Sequence, residues 1–222
     1  MTTVVGVDGA SGGWVLVTLH DGAFSAADFH WTFAECLAAH TDAEVFGVDI
    51  PIGLPSEGTR LADLEARGLL GRRAATIFLT PPRPTLDAPT YEAASAICRE
   101  LSGRGLSRQA YGLFQKIREV DAVSDTRVHE VHPEVSFARL AGAPLLARKH
   151  RWEGAIQRRA LLAAAGIVLP DDLGRAGTMA GVDDVLDAAV AAWSAARIAA
   201  GTALALPVAP GPAGAPGSTI WS

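Results

Sequence analysis

Val4-Val5-Gly6-Val7-Asp8 runs into Gly9-Ala10-Ser11-Gly12-Gly13, and Val45-Phe46-Gly47-Val48-Asp49 runs into Ile50-Pro51. Both are short apolar runs that carry an aspartate at the tip and then meet a glycine or proline turn. Such runs read as buried strands. Around the first, residues 14–19 form a second strand, His20-Asp21-Gly22 a hairpin turn and residues 23–29 a third strand. Residues 32–40 read as a short helix, and residues 44–50 as the fourth strand, stopped by Pro51. The order is β-β-β-α-β.

Beyond it, residues 60–70, 91–101 and 108–120 have helical spacing. The prolines of Phe78-Leu79-Thr80-Pro81-Pro82-Arg83-Pro84 hold the chain extended between them. Residues 127–131 read as a fifth strand, Pro133 opens a helix, and residues 152–165 and 182–200 are two more helices. The pattern is α/β. One domain over residues 1–206 is expected, with a helical insertion at 57–125 and a Pro/Gly-rich tail at 207–222.

Composition narrows the class. Of 222 residues, 49% are hydrophobic, which excludes a disordered or fibrous chain. No apolar stretch approaches the roughly 20 residues that cross a bilayer. The N-terminal run lacks a basic region ahead of it and reads as a strand, so the expected location is cytoplasmic. Cys36 and Cys98 stand apart without metal-ligand spacing and read as reduced core thiols. Net charge is -5, which argues against a surface that grips nucleic acid everywhere but leaves room for a local basic groove. Trp14, Trp152 and Trp193 read as core residues.

The acidic residues carry the chemical signal. Ligands of α/β sheets gather at the carboxyl ends of strands, and parallel neighbours would bring Asp8 and Asp49 together. In Asp183-Asp184-Val185-Leu186-Asp187, residues three or four apart share a helix face. Asp183 reads as the helix cap, leaving Asp184 and Asp187 to face a site. In His129-Glu130-Val131-His132-Pro133-Glu134, Glu130 is the better candidate on a strand, and His132 is either a cap or a substrate contact. Clustered carboxylates suit Mg²⁺ or Mn²⁺, which prefer hard oxygen ligands. Two such ions about 4 Å apart can drive phosphodiester cleavage. Arg72, Arg73 and Arg83 near the proline loop, and Arg148, Lys149 and Arg151, are candidates for holding phosphates.

Taken in order, Gly6-Val7-Asp8-Gly9-Ala10, Val48-Asp49-Ile50-Pro51-Ile52-Gly53, Tyr111-Gly112-Leu113, Glu130-Val131-His132-Pro133-Glu134 and Asp183 to Ala188 resemble the DUF429 family, often described as predicted RNase H-like nucleases. The resemblance runs from about Val4 to Arg197. It implies an RNase H-like mixed five-stranded sheet, three antiparallel strands then two parallel, flanked by helices, with a helical insertion between strands 4 and 5. It implies a divalent-metal-dependent nuclease using Asp8, Asp49, Asp184 and Asp187 with Glu130, and nucleic acid as the partner. Two other readings compete. One is an inactive nucleic-acid or nucleotide-binding module. The other is an actin- or sugar-kinase-like phosphotransferase, which would use Asp8 to Gly13 as a phosphate loop.

Overall fold

In the computed structural model, residues 1–208 and 218–222 are described. Most of the expected surface tail, residues 209–217, lies outside them. In chain order the elements are β1 (Thr3–Ala10), β2 (Gly13–His20), β3 (Ala23–His30), α1 (Phe33–Ala39) and β4 (Val45–Val48). Then come α2 (Leu61–Leu70), α3 (Tyr91–Ser102), α4 (Arg108–Gly112) and α5 (Phe114–Asp121). β5 (Val128–Glu130), α6 (Pro133–Ala141), α7 (Trp152–Ala164), α8 (Gly174–Met179) and α9 (Val182–Ala199) follow. The chain divides into two compact units. One is Met1–Ile50, Ser124–Leu204 and Trp221–Ser222; the other is Pro51–Val123 and Ala205–Ile220.

The first unit holds a five-stranded sheet in the order β3-β2-β1-β4-β5. β1, β2 and β3 are antiparallel neighbours, while β4 and β5 run parallel to β1. This α/β arrangement is consistent with an RNase H-like fold. β1 and β4 are buried along nearly their whole length, as Val-rich interior strands must be. β3 lies at the edge and is more open. The β2–β3 hairpin turns at Asp21 and Gly22, both with positive φ (47° and 82°), which pairs a residue tolerant of that region with one that favours it. Thr32 and Glu35 form a reciprocal cap that starts α1.

α9 crosses the middle of this sheet, and two glycines set how closely. Gly6 and Gly47 are register partners on β1 and β4. A Cβ at Gly6 would lie 2.0 Å from the Ala188 carbonyl oxygen, and one at Gly47 2.6 Å from that of Ala191. The helix backbone therefore rests directly on the two strands. The run Ala188-Ala189-Val190-Ala191-Ala192 is buried throughout, its small side chains allowing the same approach from the helix side. Val4, Val15, Val17, Phe137, Leu162 and Leu186 are among the larger residues of the surrounding core.

The fifth strand is shorter than expected. Val131 leaves it and forms an isolated parallel bridge with Trp221, and Ser222 exchanges backbone hydrogen bonds with Leu204 at 2.7 and 3.0 Å. The last residues of the chain thus return to the unit, where the sequence reading placed only a tail. Cys36 and Cys98 are free and buried. Trp14 is fully buried, but Trp152 is 83% exposed, which overturns its reading as a core residue. It is the first residue of α7, on a face that no hydrophobic element covers among the described residues.

The second unit contains α2 to α5. Its organising contact is Asp63, which is fully buried and receives Arg60 Nη2 at 2.6 Å and the Thr80 backbone N–H at 2.7 Å. Residues 108–120, expected as one helix, are two, meeting at Leu113 just after Gly112. Glycine's low helix propensity accounts for the break. No helix among the described residues is long and apolar enough to cross a membrane.

Candidate metal centre

The strand tips and the helix meet as follows. Side chains alternate along a strand, so Gly6 and Asp8 share one face of β1, and Gly47 and Asp49 share the corresponding face of the β4 segment. α9 sits on the glycines, and Asp187, just before Ala188, comes down beside the two aspartates. One carboxylate oxygen from each of Asp8, Asp49 and Asp187 lies within 4.8 Å of the others. Asp8 and Asp187 are buried; Asp49 is partly open to solvent. Asp8 Oδ1 accepts the Gly9 backbone N–H at 2.7 Å, which fixes its orientation. Asp187 Oδ1 is buried and has no hydrogen-bond partner. A buried carboxylate oxygen left in that condition costs free energy unless something positive reaches it.

The electrostatics agree. Burial, then the charges of Asp49 and Asp187, pushes the Asp8 carboxyl well above the usual carboxylate range. Burial and the Asp187 charge push Asp49 up to about 8. Burial raises Asp187 to about 6, although Lys149 opposes the shift. Three carboxylates that resist ionising together would be relieved by a cation.

The positive charge present is Lys149. Its Nζ lies 2.5 Å from Asp187 Oδ2 and 3.8 Å from Asp183 Oδ2. Burial works against its charge, but the pull of Asp187, Asp8 and Asp49 raises its pKa above the ordinary lysine value. The loop bearing it is held by Arg158, fully buried, which donates to the Ala147 carbonyl at 3.1 Å and to Glu134 Oε1 at 2.7 Å. Sequence reading counted Lys149 among phosphate-holding candidates and missed that it enters the acidic cluster. Its isolation as one of two lysines was the available signal.

The other expected residues divide. Asp184 Oδ2 accepts the Gly181 backbone N–H at 3.1 Å, so Asp184 caps α9 and lies outside the group of three. Asp183, read as the cap, instead pairs with His150 at 2.9 Å and with Lys149. Glu130 ends β5, is buried, and its charge contributes to the raised Asp49 pKa, but it is not among the three converging carboxylates. His132 occupies the N-cap position of α6 without a side-chain cap bond. Arg72, Arg73 and Arg83 belong to the second unit. Arg83 forks onto both carboxylate oxygens of Asp121 there.

A mixed sheet of this order, with two acidic side chains at its strand tips and a third brought to them by the crossing helix, defines an α/β protein with a candidate divalent-cation centre. The chain matches the family described as "Protein of unknown function (DUF429)" over residues 6–211, nearly its whole length, and belongs to that family. No curated protein and no solved structure matches it significantly.

Proposed function

We propose that this chain is a divalent-metal-dependent nuclease, hydrolysing phosphodiester bonds at the Asp8, Asp49 and Asp187 cluster. The observation that carries the reading is the convergence of three carboxylate oxygens within 4.8 Å at the ends of two parallel strands. The donor set fits Mg²⁺ or Mn²⁺: all hard oxygens, one of them buried without a partner. Bound there, such ions would supply a water of lowered pKa and positive charge opposite the phosphate. Asp8, pinned by Gly9, and Asp49 present their oxygens from rigid strand ends, and Asp187 supplies a third from the facing helix. Lys149 neutralises Asp187 while no metal is held, and its ammonium becomes available to a phosphate oxygen once the carboxylates are taken. Nucleic acid is the proposed partner.

Labelled single- and double-stranded RNA and DNA, incubated with the protein in Mn²⁺, Mg²⁺ or chelator, test this. Cleavage by the parent in metal only, lost in Asp8→Asn, is expected. No cleavage of any of the four substrates in either metal contradicts the proposal. A second reading, a module without metal chemistry, draws on the 2.5 Å Lys149–Asp187 pair, which already gives Asp187 a counter-charge.

A further inference from the structure

Large apolar side chains lie exposed around a groove whose lining includes Lys149, the partner of Asp187. Trp152, Val182 and Ile156 are 83%, 69% and 46% exposed. Trp152, Ala155, Ile156 and Arg159 recur at the spacing of one face of α7, and Val182, Val185 and Leu186 at that of one face of α9. The two faces and the Leu169-Pro170 loop enclose a groove of about 660 Å³. Its size falls in the range of small-ligand sites, and its walls are mainly apolar.

The rim is charged. Lys149, His150 and Arg151 stand at one end together with Asp183. Asp183 is matched by His150 and Lys149, and Arg159 by Asp171 at 2.6 Å. Arg151 has no acidic partner among the described residues. Arg151 is therefore the unmatched positive charge at the rim, over an apolar floor, with an indole ring standing free beside it. Lys149 lines this groove and also reaches Asp187, so it links this end of the groove to the acidic cluster.

We propose that the groove receives an unpaired nucleotide of a single-stranded nucleic acid, its base against Trp152 and its phosphates at Arg151 and Lys149. The proposal rests on the nuclease reading for the identity of the chain that crosses the cluster. The unmatched Arg151 guanidinium favours a phosphate-bearing occupant. The free indole selects a base with an exposed face, which a strand offers and the interior of a duplex does not. The groove thereby makes single strands, or unpaired segments, the preferred substrate.

The intact chain can be tested by fluorescence anisotropy in Ca²⁺, with labelled oligothymidylate, oligouridylate and a blunt duplex at one fixed salt concentration. The parent binds both single strands more tightly than the duplex. Trp152→Ala weakens single-strand binding by roughly 5- to 150-fold, as loss of one stacked base does, and leaves the duplex unchanged. Trp152→Phe retains most of the affinity. Repeated over a series of salt concentrations, the titration shows Arg151→Ala lowering the salt slope by about one. Because Trp152 is exposed, unchanged melting of the variants separates binding from folding. Equal single-strand affinity in Trp152→Ala and parent overturns the proposal, as does a drop of the same size on the duplex. If the parent also cleaves strands in Mn²⁺ while Trp152→Ala binds like the parent, the groove assignment alone fails. If binding depends on Trp152 but no metal yields cleavage, the nuclease reading fails and the groove remains a nucleotide site.

Discussion

Gly6→Ala probes the contact on which the site is built. The added methyl carbon would lie 2.0 Å from the Ala188 carbonyl oxygen and 2.1 Å from the Ala192 nitrogen. Both atoms are helix backbone, so no side-chain rotation relieves them, and α9 must retreat by more than about 1 Å to restore ordinary contact. Overpacking of this kind costs about 1–3 kcal/mol, and a rigid obstacle puts this case at the upper end. In a chain of this size that lowers Tm by roughly 6–12 °C. The same retreat lifts Asp187 from Asp8 and Asp49, so stabilisation by Mn²⁺ falls with it. Without the clash, the change would gain about 0.5–1 kcal/mol, because alanine is the better residue within a strand or helix. Gly68→Ala, an exposed position of α2 with nothing within 4 Å of the new carbon, is the control and melts at or above the parent. Differential scanning fluorimetry in chelator and in millimolar Mn²⁺ reads both effects. If Gly6→Ala melts like the Gly68→Ala control and keeps the full Mn²⁺ shift, the close approach of α9 does not set the site.

Further outcomes follow from the cluster. Two carboxylates within 4.8 Å repel by about 3.5 kcal/mol at an effective dielectric near 20, before proton uptake reduces it. Asp8→Asn keeps the oxygen that faces Gly9, so in chelator it should melt at or above the parent, yet lose most of the Mn²⁺ shift; metal at 100 times its dissociation constant adds about 2.7 kcal/mol to the parent. A lower melt in chelator with the metal shift intact would make Asp8 structural. The pH dependence has a definite sign. Folding raises these carboxyl pKa values, so the folded chain holds more protons than the unfolded chain between the ordinary carboxylate range, near pH 4, and about pH 8. The cluster's contribution therefore weakens as pH rises through that window. Urea midpoints in chelator should show Asp8→Asn gaining on the parent from pH 5 to pH 8; a gap that does not change with pH refutes this. Arg158→Met strands Glu134 in the interior and should cost about 3–5 kcal/mol in urea unfolding; a loss under 1 kcal/mol would show that the pair does not anchor the Lys149 loop.

What could be read from the sequence was local. Val4 to Asp8 and Val45 to Asp49 show their strands by unbroken apolar character, and their aspartates by position at the tips. The hairpin at Asp21-Gly22 shows itself by turn chemistry. Asp187 stood out because it precedes a fully apolar run, where a solvent-facing acid would be out of place. The misread features depend on contacts distant in sequence. Asp183 and Asp184 are equally good cap residues by type, and only Lys149 and His150, arriving from another segment, draw Asp183 away from the helix end. The glycines two residues before each strand-tip aspartate acquire meaning only when Ala188 and Ala191 lie on them. Glu134 looks like a favourable first-turn acid until Arg158, 24 residues on, proves to be its buried partner. Trp152 reads as a core residue by type, and nothing in its local pattern reveals that α7 presents it to a groove.

The most direct measurement is the anomalous scattering of crystals grown in Mn²⁺. The account predicts density for Mn²⁺ bonded to carboxylate oxygens of Asp8, Asp49 and Asp187 at about 2.0–2.3 Å, with Lys149 Nζ moved off Asp187. Lys149 still seated on Asp187 at millimolar Mn²⁺, with no anomalous density among the three carboxylates, would contradict it.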